Sequence, residues 1–319
     1  MRIKVHTYNI LSPSFTSTAI FPRCVQHHLD SKSRYNKILK KLEQSIQGDA
    51  VICLQEVPGM WKDDLTKFFA DQGYDFITSV YKKEAGVGIA YSSSKYTTED
   101  IDISCIRDTK LWSIHSPWKS FQHFSNTNSD PWRISKARIN SMITIGLVDK
   151  ENNTLSQSPF YIGTYHMPCL FRHPSVMVIH SSLIAQHIQR ISSGKSYVLA
   201  GDFNFKPHSA MYELLQNGLI DKKRREYPSE PHWDDLWTPE QLPMKSAYVS
   251  KLGREPLYTN YPGSPFHFQE TLDYLFYSPE LDVLDVVPLP EDRIHADVMP
   301  NETEPSDHLL IGATFLRKE

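Results

Sequence analysis

The stretch Ser196–Leu215, SYVLAGDFNFKPHSAMYELL, constrains the fold more than any other part of the chain. Tyr197–Ala200 is an apolar run with the length and composition of a buried strand. Gly201 is expected to break it, and Asp202 and Asn204 follow with Phe203 between them. Alternate residues of an extended chain share a face, so the two polar side chains are expected to point the same way. Pro207, His208 and Ser209 then open a helix carrying Met211, Leu214 and Leu215. A buried strand thus delivers a carboxylate and a carboxamide to its carboxyl end, where α/β proteins bind ligands. Taken alone, the same residues also fit an ordinary strand-to-helix turn that uses Asp and Asn for local hydrogen bonds.

The pattern recurs along the chain. Arg2–Tyr8 alternates like a strand and stops at Asn9; Ala50–Leu54 is a buried strand followed by Gln55 and Glu56; Phe160–Tyr165 ends at His166. Thr271–Tyr277 carries Asp273 near its start, and Leu309–Phe315 is preceded by Asp307 and His308. Val87–Tyr91, Ser141–Val148 and Val283–Val287 complete the expected strands. Helices are expected over Ser33–Gln47, Trp61–Gln72 and Pro174–Ile191, each with apolar residues at helical spacing. One polar strand end is punctuation, but six in one chain point to a shared site at one sheet edge. Because that site draws on both ends of the sequence, residues 1–319 are expected to form one domain.

The inventory at these ends is rich in carboxylates: Glu56, Asp202, Asp273 and Asp307. Hard oxygen donors select Mg²⁺ or Mn²⁺ over zinc, and Mg²⁺ commonly accompanies a phosphate substrate. Asn9 and Asn204 add neutral donors, and His308 is available to polarise or protonate a phosphoryl oxygen. Neither a GxxxxGK[ST] loop nor an HExxH helix is present. His173, His180 and His187 recur every seven residues, but that spacing rises ~10 Å along a helix, too far for a shared ion. The run DKKRRE(221–226) reads as a solvated face. Trp112–Ser135, with Pro117 and Pro131, reads as a long loop over the site, its Trp112, Trp118, Phe121 and Trp132 being candidate stacking surfaces.

A net charge of −3 gives no global basic field, so a nucleic-acid partner would be gripped locally. Cys24, Cys53, Cys105 and Cys169 form no CxxC pair and are expected to be reduced thiols. The first residues begin a strand rather than a secretory apolar core, and no apolar run approaches the ~20 residues of a membrane span. The expectation is a cytoplasmic monomer with no membrane contact.

In order along the chain, TYN(7–9), LQE(54–56), H(166), GDFN(201–204), LDY(272–274) and SDH(306–308) resemble the endonuclease/exonuclease/phosphatase superfamily with the DNase-I-like fold. TNYPGSPFHFQETLDYLFYS(259–278) is similar to the branch holding carbon-catabolite-repressor-type deadenylases, nocturnin, Angel and the 2′-phosphodiesterase. The segment YHMPCLFRHP(165–174) departs from the family's THL-type run. The resemblance implies an α/β/β/α sandwich of two packed mixed sheets and metal-dependent phosphoester hydrolysis. It implies Mg²⁺ on Glu56, with Asn9 and Asp307 close to the ion or its waters; Mn²⁺ can substitute. Asp202 would activate water, Asn204 would donate to the phosphorane, His308 oriented by Asp273 would donate to a non-bridging oxygen, and His166 would support that charge. Asn260 and Phe268, with Phe266 as rival, would hold an adenine base. The implied substrate is RNA or oligoadenylate, cleaved 3′–5′ to release 5′-AMP. A 2′–5′ oligoadenylate phosphodiesterase, a nucleotide phosphatase and a silent binding protein are the alternatives.

Overall fold

The structure, a computed structural model, describes residues 2–110, 130–150, 158–228 and 237–317. In chain order its elements are β1 (Arg2–Asn9), α1 (Ser31–Gln47), β2 (Val51–Gln55), α2 (Lys62–Asp71), β3 (Tyr74–Lys82), β4 (Ala85–Ser92) and β5 (Tyr96–Cys105). Then come α3 (Pro131–Lys136), β6 (Ser141–Asp149), β7 (Phe160–His166), α4 (Pro174–Ser192), β8 (Tyr197–Asp202) and α5 (Ala210–Asn217). The last are β9 (Lys245–Ser246), α6 (Ala247–Leu252), β10 (Asp273–Tyr277), β11 (Leu281–Val286) and β12 (Ile311–Arg317).

The strands form two sheets, β11-β12-β1-β2-β4-β3 and β5-β6-β7-β8-β10-β9. Each has one parallel pair near its centre, β1 with β2 and β7 with β8, and antiparallel pairs elsewhere. A strand covered on both faces needs apolar residues at successive positions, and β2 shows this. Its Val51 and Cys53 face the core between the sheets, while Ile52 and Leu54 pack under Ile38 and Leu42 of α1 and Leu65 and Phe69 of α2. In β8, Val198 and Ala200 face the other sheet, while Tyr197 and Leu199 lie beneath Ile179 and Ile184 of α4 and Leu214 of α5. The result is the expected four-layer α/β/β/α sandwich.

Two expectations require correction. The strand at Tyr197 does not break at Gly201 but runs on to Asp202, paired with both β7 and β10. Trp132 is not a stacking surface: Asp130 caps α3, and the indole is 2% exposed, edge-on to Trp237 with ring centroids 5.0 Å apart. Trp112, Trp118 and Phe121 lie outside the described residues.

Topology brings the polar strand ends together. The parallel pairs align Asn9 with Gln55, just before Glu56, and His166 with Asp202. Antiparallel β10 begins at the same end, with Asp273 opposite Asp202, and antiparallel β12 follows directly after the Asp307–His308 loop.

Candidate active site

Asn9 links the two sheets at this edge. Its Nδ2 donates to Asp202 Oδ2 at 2.9 Å and to Glu56 Oε1 at 3.2 Å, while its Oδ1 accepts from Leu11 N at 3.0 Å. Glu56 Oε2 accepts from Ser12 N at 2.8 Å. Burial pushes the Glu56 carboxyl above its usual range; His166 opposes that rise, and the Asp307 charge adds to it. Below this layer, Gln55 Nε2 donates to Thr7 Oγ1 at 2.9 Å and to Thr164 Oγ1 of the other sheet at 3.0 Å, a fully buried polar tie under the site.

Asp202 Oδ2 also faces two imidazoles, His166 Nε2 at 3.5 Å and His308 Nε2 at 3.6 Å. His308 Nδ1 contacts Asp273 Oδ2 at 2.8 Å, and Thr259 Oγ1 donates to the same oxygen at 2.6 Å. Burial alone would lower the His308 pKa, but the charges of Asp273, Asp202 and Asp307 outweigh it and raise it well above the usual value. With Nδ1 held by a carboxylate, Nε2 is the nitrogen turned toward the centre.

Asp202 and Asn204 reach the site by a turn, not by strand alternation. Asn204 has φ +53°, and its backbone N–H donates to Asp202 Oδ1 at 2.9 Å. Its Nδ2 donates to Met167 O at 2.9 Å, which uses one of two amide hydrogens and leaves one for a ligand. Glu56 has φ +57°, so both of these cleft-lining residues adopt sparsely allowed backbone. Asn260 is committed differently: Nδ2 donates to both the backbone O and Oδ2 of Asp307, each at 3.1 Å, which occupies both hydrogens.

The residues fit a divalent cation. Asp307 Oδ1 and Asp273 Oδ1 are buried without a hydrogen-bond partner among the described residues, and a carboxylate oxygen rarely stays so without a cation or water. Asp202, Asp273 and His308 are close enough to share an ion, but their own hydrogen bonds already account for that arrangement. A second group, His27, His28 and Glu302, lies at the surface.

All ten sequence-predicted residues except Asn9 and Asp273 line one cleft of about 950 Å³, and those two sit directly behind its floor. Phe268 is on its wall with the Lys206 ammonium 5.3 Å from the ring centroid, whereas Phe266 is 79% exposed and outside it.

The endonuclease/exonuclease/phosphatase family model matches residues 6–308, a span that covers nearly the whole chain and contains these positions. The chain belongs to the endonuclease/exonuclease/phosphatase family. All three activities in the family's name act on phosphoesters.

Among family members, the chain is 27% identical to 2′,5′-phosphodiesterase 12 of Rattus norvegicus, over 97% of this chain and 51% of that protein. It is 27% identical to carbon catabolite repressor protein 4 homolog 4 of Arabidopsis thaliana, over 100% of this chain and 79% of that protein. The chain therefore spans about half the length of the first of these curated relatives. The fold superposes on the crystal structure of ANGEL2, a 2′,3′-cyclic phosphatase, in complex with adenosine-2′,3′-vanadate, with TM-score 0.74, 20% identity and coverage of 99% and 95% of the two chains.

Several supporting residues of this family site escaped the sequence reading. Arg34, 1% exposed, donates from Nε to Pro305 O at 2.6 Å and from Nη2 to Ile10 O and Leu11 O at 2.8 and 2.5 Å. It clamps the loop before Asp307 to the turn after Asn9, and Ser306 Oγ adds a 2.6 Å bond to Asn9 O. Asn140 Nδ2 donates to His166 O at 2.9 Å and to Tyr81 Oη at 3.3 Å. Arg34 carried a signal, a charge beside the apolar stripe of a helix; Asn140 and Tyr81 carried none.

Proposed function

We propose that the protein is a Mg²⁺-dependent phosphodiesterase that removes adenylate from the 3′ end of RNA or an oligoadenylate, releasing 5′-AMP. The observation that carries this reading is the convergence of Asp202, Asn204, Glu56, Asp307 and His308, backed by Asp273, on a cleft with an aromatic ring and a lysine on its wall. A cation on Glu56 and Asp307 would act as a Lewis acid and stabilise the leaving oxygen. Asp202, fixed by Asn9 and the Asn204 N–H, takes the proton of the attacking water. The free Asn204 hydrogen and His308 Nε2 donate to the phosphoryl oxygens as charge builds on them. Asp273 holds the imidazole in the orientation and charge state this needs, and His166 faces the same charge. Phe268 stacks on the base of the departing nucleotide. Asn260 acts mainly by aiming Asp307, with only its Oδ1 left to meet a base.

The similarity to 2′,5′-phosphodiesterase 12 favours a second reading, cleavage of 2′–5′ linkages. Both readings leave the phosphate on the 5′ oxygen of the released nucleotide and differ only in which ribose hydroxyl departs. The proposed setting is cytoplasmic and monomeric. In support, no helix among the described residues is long and apolar enough to cross a membrane, and all four cysteines are free. The test is incubation of purified protein and Mg²⁺ with 3′–5′ and 2′–5′ oligoadenylates, oligo(U) and a 2′-phosphorylated nucleotide, with products resolved by chromatography. Stepwise 5′-AMP release from 3′–5′ oligoadenylate is expected. Preference for the 2′–5′ chain moves the second reading ahead, and release of inorganic phosphate alone overturns both.

A further inference from the structure

Beyond the reacting centre the cleft wall rises along residues 167–173, the segment that departs from the family pattern. Its root is fixed to the centre: Met167 N donates to Asp202 O at 2.8 Å and Met167 O accepts from Asn204. Five residues on from His166, Phe171 stands 71% exposed on the cleft lining, with the Arg172 guanidinium 5.7 Å from its ring centroid. A solitary exposed phenylalanine needs no explanation. This one lies within chain reach of the centre, carries a cation on its ring, and faces a cleft whose other wall bears a second aromatic–cation pair, Phe268 with Lys206.

Past Phe171 lies a second cavity of about 190 Å³, and it shares Pro174 and Arg225 with the main cleft. Arg172 and Arg225 bring cationic groups to it. Arg225 belongs to the DKKRRE run, and within that run its role differs from its neighbour's. Arg224 pairs with Glu213 and Glu226, whereas Arg225 is 90% exposed and, among the described residues, has a single ion pair, at 3.6 Å to Glu226. Arg172 has no carboxylate partner among the described residues. In a chain of net charge −3, two exposed arginines beside a reaction cleft, one loosely paired and one with no carboxylate partner among the described residues, select a polyanion.

We propose that this path is a strand-binding subsite: a base upstream of the reacting linkage stacks on Phe171, and the next phosphate lies between Arg172 and Arg225. The occupant is a single-stranded oligonucleotide, because alternating ring platforms and cations match its alternating bases and phosphates. The inference rests on the proposed phosphodiesterase reading and adds to it that substrates longer than a dinucleotide are preferred.

The experiment measures kcat/KM on adenylate chains of two, three, four and six residues, using the parent, Phe171→Ala and the double variant Arg172→Ala/Arg225→Ala. For the parent, kcat/KM should climb from the dimer to the tetramer and then level off. Loss of a stacked base corresponds to roughly tenfold or more, so Phe171→Ala should forfeit about that much on the hexamer. The double arginine variant should cleave the dimer at the parental rate, lose most of the gain with length, and show a shallower salt dependence on the hexamer. A parent indifferent to length, or an arginine variant impaired equally on dimer and hexamer, overturns the subsite. If the parent cleaves no oligonucleotide of any length, the phosphodiesterase reading itself fails, a result distinct from loss of the length effect alone.

Discussion

At the residue scale, few polar atoms of the centre are left without a partner. Asn260 shows why sequence could not assign it: TNY places an amide near the site, but only the fold reveals that both its hydrogens lie on Asp307. The expected consequence is that Asn260→Ala slows oligo(A) and oligo(U) by similar factors through Asp307, whereas Phe268→Ala raises KM on both. A selective loss of adenine preference in Asn260→Ala would instead restore it as the base-reading group. Asp273 is a positioning residue with a sharper expectation. Asp273→Asn keeps the shape but removes the charge that holds the His308 imidazolium, so kcat should fall by roughly 10²–10⁴ with KM little changed. A parental kcat would show that His308 needs no carboxylate behind it.

At the element scale, strand ends were legible and strand edges were not. β2, β7, β8 and β10 lie inside their sheets, so apolar runs mark them, and the polar residues at their ends stand out by contrast. β3, β5 and β9 went unrecognised, and all are edge or outermost strands. β5 carries polar and charged residues through TTEDIDISC, most of its positions exposed or half-buried, because an edge strand meets solvent and charge costs little there. The turn at Asp202–Asn204 was placed correctly in sequence but for a reason the backbone does not follow, since a left-handed φ cannot be read from an asparagine alone. Gly201 illustrates the same limit. It has φ +154°, and a Cβ there would lie 2.0 Å from Tyr165 O across the β7–β8 pair. Gly201→Ala must push those central strands apart and is expected to cost about 3 kcal/mol or more by urea denaturation. A loss under about 1 kcal/mol would mean the strands yield easily there. Two of the heptad histidines are tied separately into the fold, in keeping with a spacing too long for a shared ion. In α4, His180 Nδ1 meets Tyr165 Oη at 2.8 Å, and His187 Nε2 meets Asp102 Oδ2 at 2.7 Å.

At the scale of the whole molecule, both ends of the sequence meet in one sheet, where β1 lies between β12 and β2. Gln55 ties that sheet to the other through Thr164, and Asn9 ties them again at the site. No large unit can come away without exposing the core between the sheets, so we propose a single domain that unfolds in one transition. Far-ultraviolet circular dichroism and tryptophan fluorescence should give coincident urea curves; two separated transitions would contradict this. Acid should weaken the whole. Burial lowers the pKa of His180 and of His6 to about 4, against 6.5 in the unfolded chain. Between pH 6.5 and about 4 the unfolded chain binds the extra protons, so stability is full above that window and falls as pH drops through it. For fully buried His180 the loss is on the order of 3 kcal/mol. His180→Gln should be weaker at pH 7 yet decline less steeply toward pH 4; an unchanged slope would show that His180 does not set it.

The central claim is that Asp202, held between Asn9 and the Asn204 amide, activates water for phosphoester hydrolysis. The most direct measurement is the single-turnover rate of Asp202→Asn on a 3′-labelled oligoadenylate at saturating Mg²⁺, beside a parent of matched melting temperature. The rate should fall by at least about 10²-fold, the usual contribution of a positioned base. A folded variant that hydrolyses the substrate at close to the parental rate would contradict it.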